Sequence, residues 1–138
     1  MQTEILNKTL QNRSINPTAM RLLVLDKLMN AEVALSLADL EIEMDQADRI
    51  TIYRTLKTFE ENKLIHSIED GTGSIKYALC ESSCKCTPEF THAHFHCNNC
   101  NQTFCLRNIH VPELKLPKNF EAEQSSFILK GICDQCKQ

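Results

Sequence analysis

Long apolar stretches are missing from this chain. The longest unbroken run, roughly Leu22 to Leu25, is far short of the ~20 residues that a membrane-spanning helix needs, so no membrane span is expected. The start, Met1-Gln2-Thr3-Glu4, has neither a basic n-region nor an apolar h-region, so no secretory signal is expected and the location is read as cytoplasmic. A basic excess is missing too. The formal net charge is -3; residues 1 to 79 hold nine Lys/Arg against twelve Asp/Glu, and residues 80 to 138 hold six of each. Bulk charge therefore does not announce nucleic acid, and any DNA contact must come from a local patch. There is no HExxH, which a zinc metalloprotease would need. His92-Ala93-His94 offers no glutamate for the HxE of a zinc deaminase. A small zinc-dependent enzyme is thus disfavoured, and no catalytic residues are assigned.

Cysteine is what the chain does have. Four of its eight cysteines form two matched pairs, Cys97-Asn98-Asn99-Cys100 and Cys133-Asp134-Gln135-Cys136. A two-residue spacer lets both thiolates of a knuckle reach one ion, so two such pairs can close a tetrahedral four-cysteine zinc site. The same pairs could be read as two disulfides or as redox motifs. A reducing cytosol favours metal over disulfide, and neither CxxC opens an obvious helix in a βαβ context. His92-Ala93-His94-Phe95-His96 stands just before the first pair and could bind a second metal. One closed site with a histidine cluster beside it suggests a metal sensor. At 138 residues the chain has room for one ordinary domain or two small ones, and zinc would staple a small second one.

The first half reads as helices. Thr3 to Asn12 is short and weakly amphipathic. Asn16 is a plausible N-cap for Pro17 to Met29, where Met20, Leu23, Val24, Lys27 and Leu28 keep helical spacing. Ser36 caps a third helix, Leu37 to Met44, which buries Leu37, Leu40 and Met44. A fourth spans about Gln46 to Asn62 on the core stripe Ile52, Leu56 and Phe59. Leu64 to Ile68 and Ser74 to Leu79 read as a hairpin about the turn Glu69-Asp70-Gly71-Thr72-Gly73. Helices closed by one hairpin are the plan of a winged helix-turn-helix, with the fourth helix as reader. Arg49, Thr51, Tyr53, Arg54 and Lys57 lie largely off its core stripe, where they can reach phosphates and base edges of double-stranded DNA. A solvated helix face balanced by Asp48, Glu60 and Glu61 is the competing reading. In the second half, Phe95 to Cys97 and Thr103 to Leu106 read as strands around the knuckle, and Phe120 to Ile132 as a strand suited to a dimer interface. Cys105 is read as a buried core residue.

Asp48-Arg49-Ile50-Thr51-Ile52-Tyr53-Arg54-Thr55-Leu56, running on to Phe59-Glu60-Glu61-Asn62-Lys63-Leu64-Ile65, resembles the recognition helix and following strand of the ferric uptake regulator superfamily, a TVYRTL core then FEExGLI. Pro17-Thr18-Ala19-Met20-Arg21 is similar to its second-helix start. His92 to Cys100 is similar to its HxHFxCxxC segment, and Gly131-Ile132-Cys133-Asp134-Gln135-Cys136 to its closing GxCxxC. The match runs in order over nearly the whole chain.

The resemblance implies an α+β protein: an N-terminal winged helix-turn-helix domain (1–79), a hinge (80–90) and a small zinc-stabilised α/β dimerisation domain (91–138). It implies a homodimeric, metal-responsive repressor acting on a DNA operator. Cys97, Cys100, Cys133 and Cys136 match the structural zinc positions. His66, Cys80, His92 and His94 match the regulatory site of the zinc uptake regulator branch, a set that suits tetrahedral zinc better than octahedral iron. His92 and His94 alternate along a strand and so share a face. There are departures from the family pattern. Ala78 stands where iron regulators often carry Glu, Glu32 is the nearest substitute for a histidine between the second and third helices, and Ala93 replaces an acidic residue. His96, His110 and Glu113 could rebuild part of a further site, and Cys84 or Cys86 could displace Cys80 as the thiolate. The expected function is metal-dependent repression with Zn(II) most favoured; an Fe(II)-sensing or peroxide-sensing member, and a zinc-ribbon interaction module without DNA binding, are the alternatives.

Overall fold

The computed structural model describes residues 2–44, 47–79, 92–111, 114–123 and 127–137, with the backbone alone at positions 92, 107, 108 and 110. Four helices and two three-stranded sheets build an α+β architecture, with a short fifth helix near the end.

Helix α1 (Gln2–Asn12) buries Leu6 and Leu10 against helix α2 (Ala19–Asn30). The cap of α2 is Thr18 rather than Asn16: extended at φ -133°, ψ 163°, it accepts the Arg21 N–H at 3.2 Å. Pro17 then precedes the cap instead of opening the helix, and the Asn16 carbonyl accepts the Arg21 guanidinium at 2.8 Å. The buried face of α2 is Val24, Leu25 and Leu28; Leu23 is 52% exposed. In a run where residues 22 to 25 are all apolar, spacing alone could not tell Leu23 from Leu25.

Strand β1 (Leu35–Ser36) leads into α3 (Leu37–Glu43). Ser36 caps α3 as expected, in a reciprocal box with Asp39: its hydroxyl accepts the Asp39 N–H at 3.1 Å, and its own N–H donates to the Asp39 carboxylate at 2.9 Å. Helix α4 (Arg49–Glu61) places Ile52, Leu56 and Phe59 at 0% exposure, so the stripe read from the sequence is the core stripe. Strands β2 (Ile65–Glu69) and β3 (Ile75–Leu79) form the hairpin, or wing, and β1 adds to β3 to give the order β1-β3-β2. One cluster runs through all of this, from Leu6 and Leu10 through Val24, Leu40 and Phe59 to Ile65 and Tyr77.

The link from α4 to β2 turns at Lys63, which sits at φ 63° while the Leu64 N–H donates to the Phe59 carbonyl at 2.9 Å. This is a left-handed helix stop, where the family pattern carries glycine. A side chain there costs about 1–2 kcal/mol, partly offset by the chain entropy that glycine loses on folding. Lys63→Gly is therefore expected to stabilise the fold by roughly 0.5–1 kcal/mol, read as a higher urea midpoint at unchanged slope.

The second sheet holds β4 (His92–Cys97), β5 (Thr103–His110) and β6 (Phe127–Gly131) in the order β5-β4-β6, with β4 antiparallel to β5 and parallel to β6. Strand β5 runs on past Leu106 to His110. Of the strand expected over Phe120 to Ile132, the described residues show Phe127–Gly131. A turn interrupts its start, where Asn119 is left-handed at φ 72° and the Phe120 N–H donates to the Pro117 carbonyl. Helix α5 (Asp134–Lys137) follows β6. Among the described residues no helix is long and apolar enough to cross a membrane.

Candidate metal centre

The knuckle begins where β4 ends. The Cys97 N–H donates to the Gln102 carbonyl at 3.0 Å, and the Asn101 N–H to the Cys97 carbonyl at 2.9 Å, with Asn101 left-handed at φ 62°. This tight reversal brings Cys100 back beside Cys97. The second pair arrives along β6. The Asn98 N–H donates to the Gly131 carbonyl at 2.7 Å, and a Cβ at Gly131 would lie 3.3 Å from the Phe95 ring, so glycine permits this close approach. The sulfurs of Cys97, Cys100, Cys133 and Cys136 all lie within 4.8 Å of one another. The N–H groups of Cys100 (3.5 Å) and Cys133 (3.4 Å) point at the Cys97 sulfur, and they bring its thiol down to about 6. The Cys136 thiol is held above its ordinary value: a contact with Asn99 lowers it, but sharing with Cys133, burial and Cys97 outweigh that. One thiolate forms readily and raises its neighbours, so a fully ionised set needs a cation. Four soft donors in a closed cluster fit a structural zinc ion.

A second cluster joins the two halves of the chain. His66 on β2, His94 on β4 and Cys105 on β5 place one nitrogen or sulfur each within 4.8 Å of the others. The His66 and His94 Nε2 atoms are 3.2 Å apart, and His94 is 5% exposed with its Nδ1 buried and unpartnered among the described residues. Burial pushes the Cys105 thiol up, but hydrogen bonds from His66 and His94 outweigh it and bring it down to about 6. Two imidazoles and a thiolate-prone sulfur make a donor set that fits zinc.

Cys105 is thus half-buried beside two histidines rather than a simple core residue. The signal for it was in the knuckle. Counting outward from the Cys97–Gln102 closure, antiparallel pairing sets His96 opposite Thr103 and His94 opposite Cys105. A cavity of about 580 Å³ opens beside Cys105 and is lined also by Glu32, Leu64, Tyr77 and Leu79. Glu32 shares this cavity without joining the cluster.

Next to that cluster lies a buried polar row. Asp70, 1% exposed at the wing turn, accepts the Thr103 hydroxyl (2.6 Å) and the Lys76 ammonium (2.9 Å) on Oδ2. Its Oδ1 accepts the Thr72 N–H at 3.1 Å and the Thr72 hydroxyl. The His96 Nδ1 is 3.0 Å from the Thr103 hydroxyl and 3.4 Å from Asp70 Oδ2. His96 therefore faces the wing in this row and belongs to neither metal cluster. Burial alone would raise the Asp70 carboxyl, but the hydrogen bonds from Thr103, Thr72 and Lys76 hold it well below the usual carboxylate range. A depressed carboxyl contributes stability that is complete above the ordinary value of about 3.9 and is lost only as pH falls toward its folded value.

Of the other residues singled out by the sequence, Cys80, Cys84, Cys86 and Glu113 lie outside the described residues, as do the side chains of His92 and His110. The β4–β5 register shifts between His92 and Ala93.

On α4 the five residues assigned to DNA contact are all exposed, opposite buried Ile52, Thr55, Leu56 and Phe59. Arg49 pairs with Glu41 at 3.1 Å, and Lys57 pairs with Glu60 at 3.5 Å while lying 5.6 Å from the Tyr53 ring centre. Thr51 reaches Asp48 at 3.5 Å. Among the described residues Arg54 has no carboxylate partner, so it is the cation most free for another anion.

Comparison with known proteins gives a consistent picture. The family model described as "Ferric uptake regulator family" matches residues 12–132. A ferric uptake regulation protein of Campylobacter jejuni subsp. jejuni serotype O:2 is 25% identical over 146 aligned positions, covering 96% of this chain and 87% of that protein. Among solved structures, a zinc uptake regulator complexed with zinc and DNA superposes with a TM-score of 0.69 at 22% identity, covering 99% of this chain and 95% of that one. The Vibrio cholerae ferric uptake regulator superposes with a TM-score of 0.61 at 16% identity, covering 92% and 98%.

Proposed function

The chain belongs to the ferric uptake regulator family, whose members are metal-responsive transcriptional regulators and not enzymes, and on that premise we propose that it is a zinc-sensing, homodimeric repressor acting in the cytoplasm on a double-stranded DNA operator. In this reading residues 1–79 are the DNA-binding domain, 80–90 the hinge and 91–138 the dimerisation domain. One observation carries the choice of zinc: among the described residues, the donors that converge from the wing and the second sheet are two imidazoles and a sulfur, with no carboxylate among them. Softer, tetrahedral ions prefer such a set, whereas Fe(II) and Mn(II) favour oxygen.

Cys97, Cys100, Cys133 and Cys136 would hold the structural ion. His66, His94 and Cys105 would hold the sensed one, and an ion there supplies a cross-link between wing and sheet. Fixing the wing fixes the separation of the two α4 helices in a dimer, which must match two half-sites on DNA. The gain in operator affinity can be no larger than the ion's differential affinity for that arrangement.

The test titrates zinc, Fe(II) and Mn(II) separately into protein carrying only its four-cysteine zinc, following operator binding by anisotropy. Zinc should act at the lowest free concentration. Activation by Fe(II) alone at the same site would move the protein to iron sensing. In the same assay Arg54→Ala is expected to lose about 1–3 kcal/mol of operator affinity with its metal content unchanged. A loss concentrated on one operator sequence marks a base contact; a uniform loss with a shallower salt slope marks a phosphate contact. Unchanged affinity would move the DNA surface off this face of α4.

A further inference from the structure

Strand alternation places two cross-links side by side between wing and sheet. On β4 the side chains of His94 and His96 share a face, and on β5 those of Cys105 and Thr103 do, because residues two apart point the same way. The row His94–Cys105 meets His66 of β2. The adjacent row His96–Thr103 meets Asp70, just past the end of the same strand. The first row is a metal-type donor set. The second is closed by hydrogen bonds alone and needs no ion.

Two further observations bring the first half of the chain close to this sheet. The Ala34 N–H donates to the Thr103 carbonyl at 2.9 Å, tying the loop before β1 to β5. At Gly71, left-handed at φ 84°, an added Cβ would lie 2.5 Å from the Lys130 Nζ of β6. The wing turn thus meets β4 and β5 through Asp70, with the end of the Lys130 side chain of β6 beside Gly71. We propose that the Asp70–Thr103–His96 row is a metal-independent latch, and that these are positioning residues which hold the wing on the second sheet and set the spacing at which His66, His94 and Cys105 meet.

The reason lies in the cost of opening. Lifting the wing away would strip Thr103 and His96 from a carboxylate that is fully buried, leaving Lys76 and Thr72 as its remaining partners. Water would replace the two lost partners on the carboxylate, but hydrogen bonds to a charged group in a dry site are stronger than those they are exchanged for. The latch therefore favours the closed arrangement before any ion binds, and the ion spends less of its binding energy on closure.

The inference rests on the metal-bridge reading for its effect on zinc, but the latch itself can be measured without that reading. Thr103→Val removes the hydroxyl at nearly constant volume, and Thr103→Ser keeps it. In full-length protein carrying only the four-cysteine zinc, hydrogen exchange of the segment 70–76 should be protected in wild type and in Thr103→Ser, and should rise in Thr103→Val. Unchanged exchange in Thr103→Val would overturn the latch. In a zinc titration followed by operator anisotropy, Thr103→Val should raise the free-zinc midpoint severalfold, because the ion must then supply more of the closure. Its operator affinity at saturating zinc should match wild type, and Thr103→Ser should restore the midpoint. Faster exchange with an unmoved midpoint would overturn the positioning role, and so would a loss of affinity at saturating zinc or of the four-cysteine zinc itself. Failure of the bridge reading shows separately, as zinc activation that survives His94→Ala.

Discussion

Cys97→Ser and Cys133→Ser should each leave the second sheet unfolded while the helical half keeps its structure. The four sulfurs converge within 4.8 Å, and the two knuckles are the point where β4 and β6 are tied together. Zinc bound at such a site contributes on the order of 10–16 kcal/mol, as large as the whole stability of an ordinary domain. The second sheet has little else. Its fully buried side chains are few, and Phe127, Leu129 and Ile132 remain largely exposed in the single chain. The helical cluster from Leu6 to Tyr77 contains none of the four cysteines. Zinc content, sedimentation and an NMR fingerprint would check this: amide dispersion should be lost for residues 92–137 and kept for α1–α4. Normal zinc content with an intact fingerprint in either variant would rule out a four-cysteine site. Chelation at neutral pH should reproduce the mutant phenotype.

His94→Ala should abolish metal-activated operator binding while leaving the fold and the four-cysteine zinc intact. His94 is the middle member of its cluster, facing His66 across the wing and paired in register with Cys105. Cys105→Ser should weaken zinc more than Mn(II), since a hydroxyl replaces the one soft donor. Wild-type zinc affinity should fall as the pH drops through about 6, where the Cys105 thiol takes up its proton and competes with metal. Isothermal titration with each ion, at several pH values, reads all three effects. A His94→Ala protein that zinc activates like wild type would remove His94 from the sensor, and a flat pH profile would remove Cys105.

How legible was this in the sequence? The recognition-helix stripe Ile52, Leu56 and Phe59 was plain, because its polar neighbours leave one register. The four-cysteine cluster was equally plain, because a CxxC spacer is a geometric statement about one ion. Spacing could not tell exposed Leu23 from buried Leu25, because four consecutive apolar residues carry no phase information. Thr18 was missed as a cap because Pro17 offered a competing start one residue earlier. Strand β1 is two residues long, too short for any alternation to show. The site was half legible. His66 and His94 stand out as histidines near family positions, but Cys105 lies eleven residues beyond His94 and meets it only through hairpin register. Asp70 looked like ordinary turn chemistry in Glu69-Asp70-Gly71, and only the packing of wing on sheet shows its carboxylate to be buried among five polar contacts.

The parallel pairing of β4 with β6 has a consequence in time. Ala93 lies against Phe127 and Cys97 against Gly131, each pair 34 residues apart along the chain, whereas the β4–β5 hairpin closes over a handful. Contacts between distant residues form late, because the entropy of closing the loop is spent before any contact rewards it. The hairpin can therefore appear early with Cys97 and Cys100 in place, while Cys133 and Cys136 arrive with β6. A zinc ion captured by the first knuckle becomes the anchor on which the late strand lands. In a cell short of zinc, newly made chains would wait at that step with the β4 edge bare, open to pairing with another chain. Zinc supply would then limit how much of this protein matures, before it has any say in what the mature protein does.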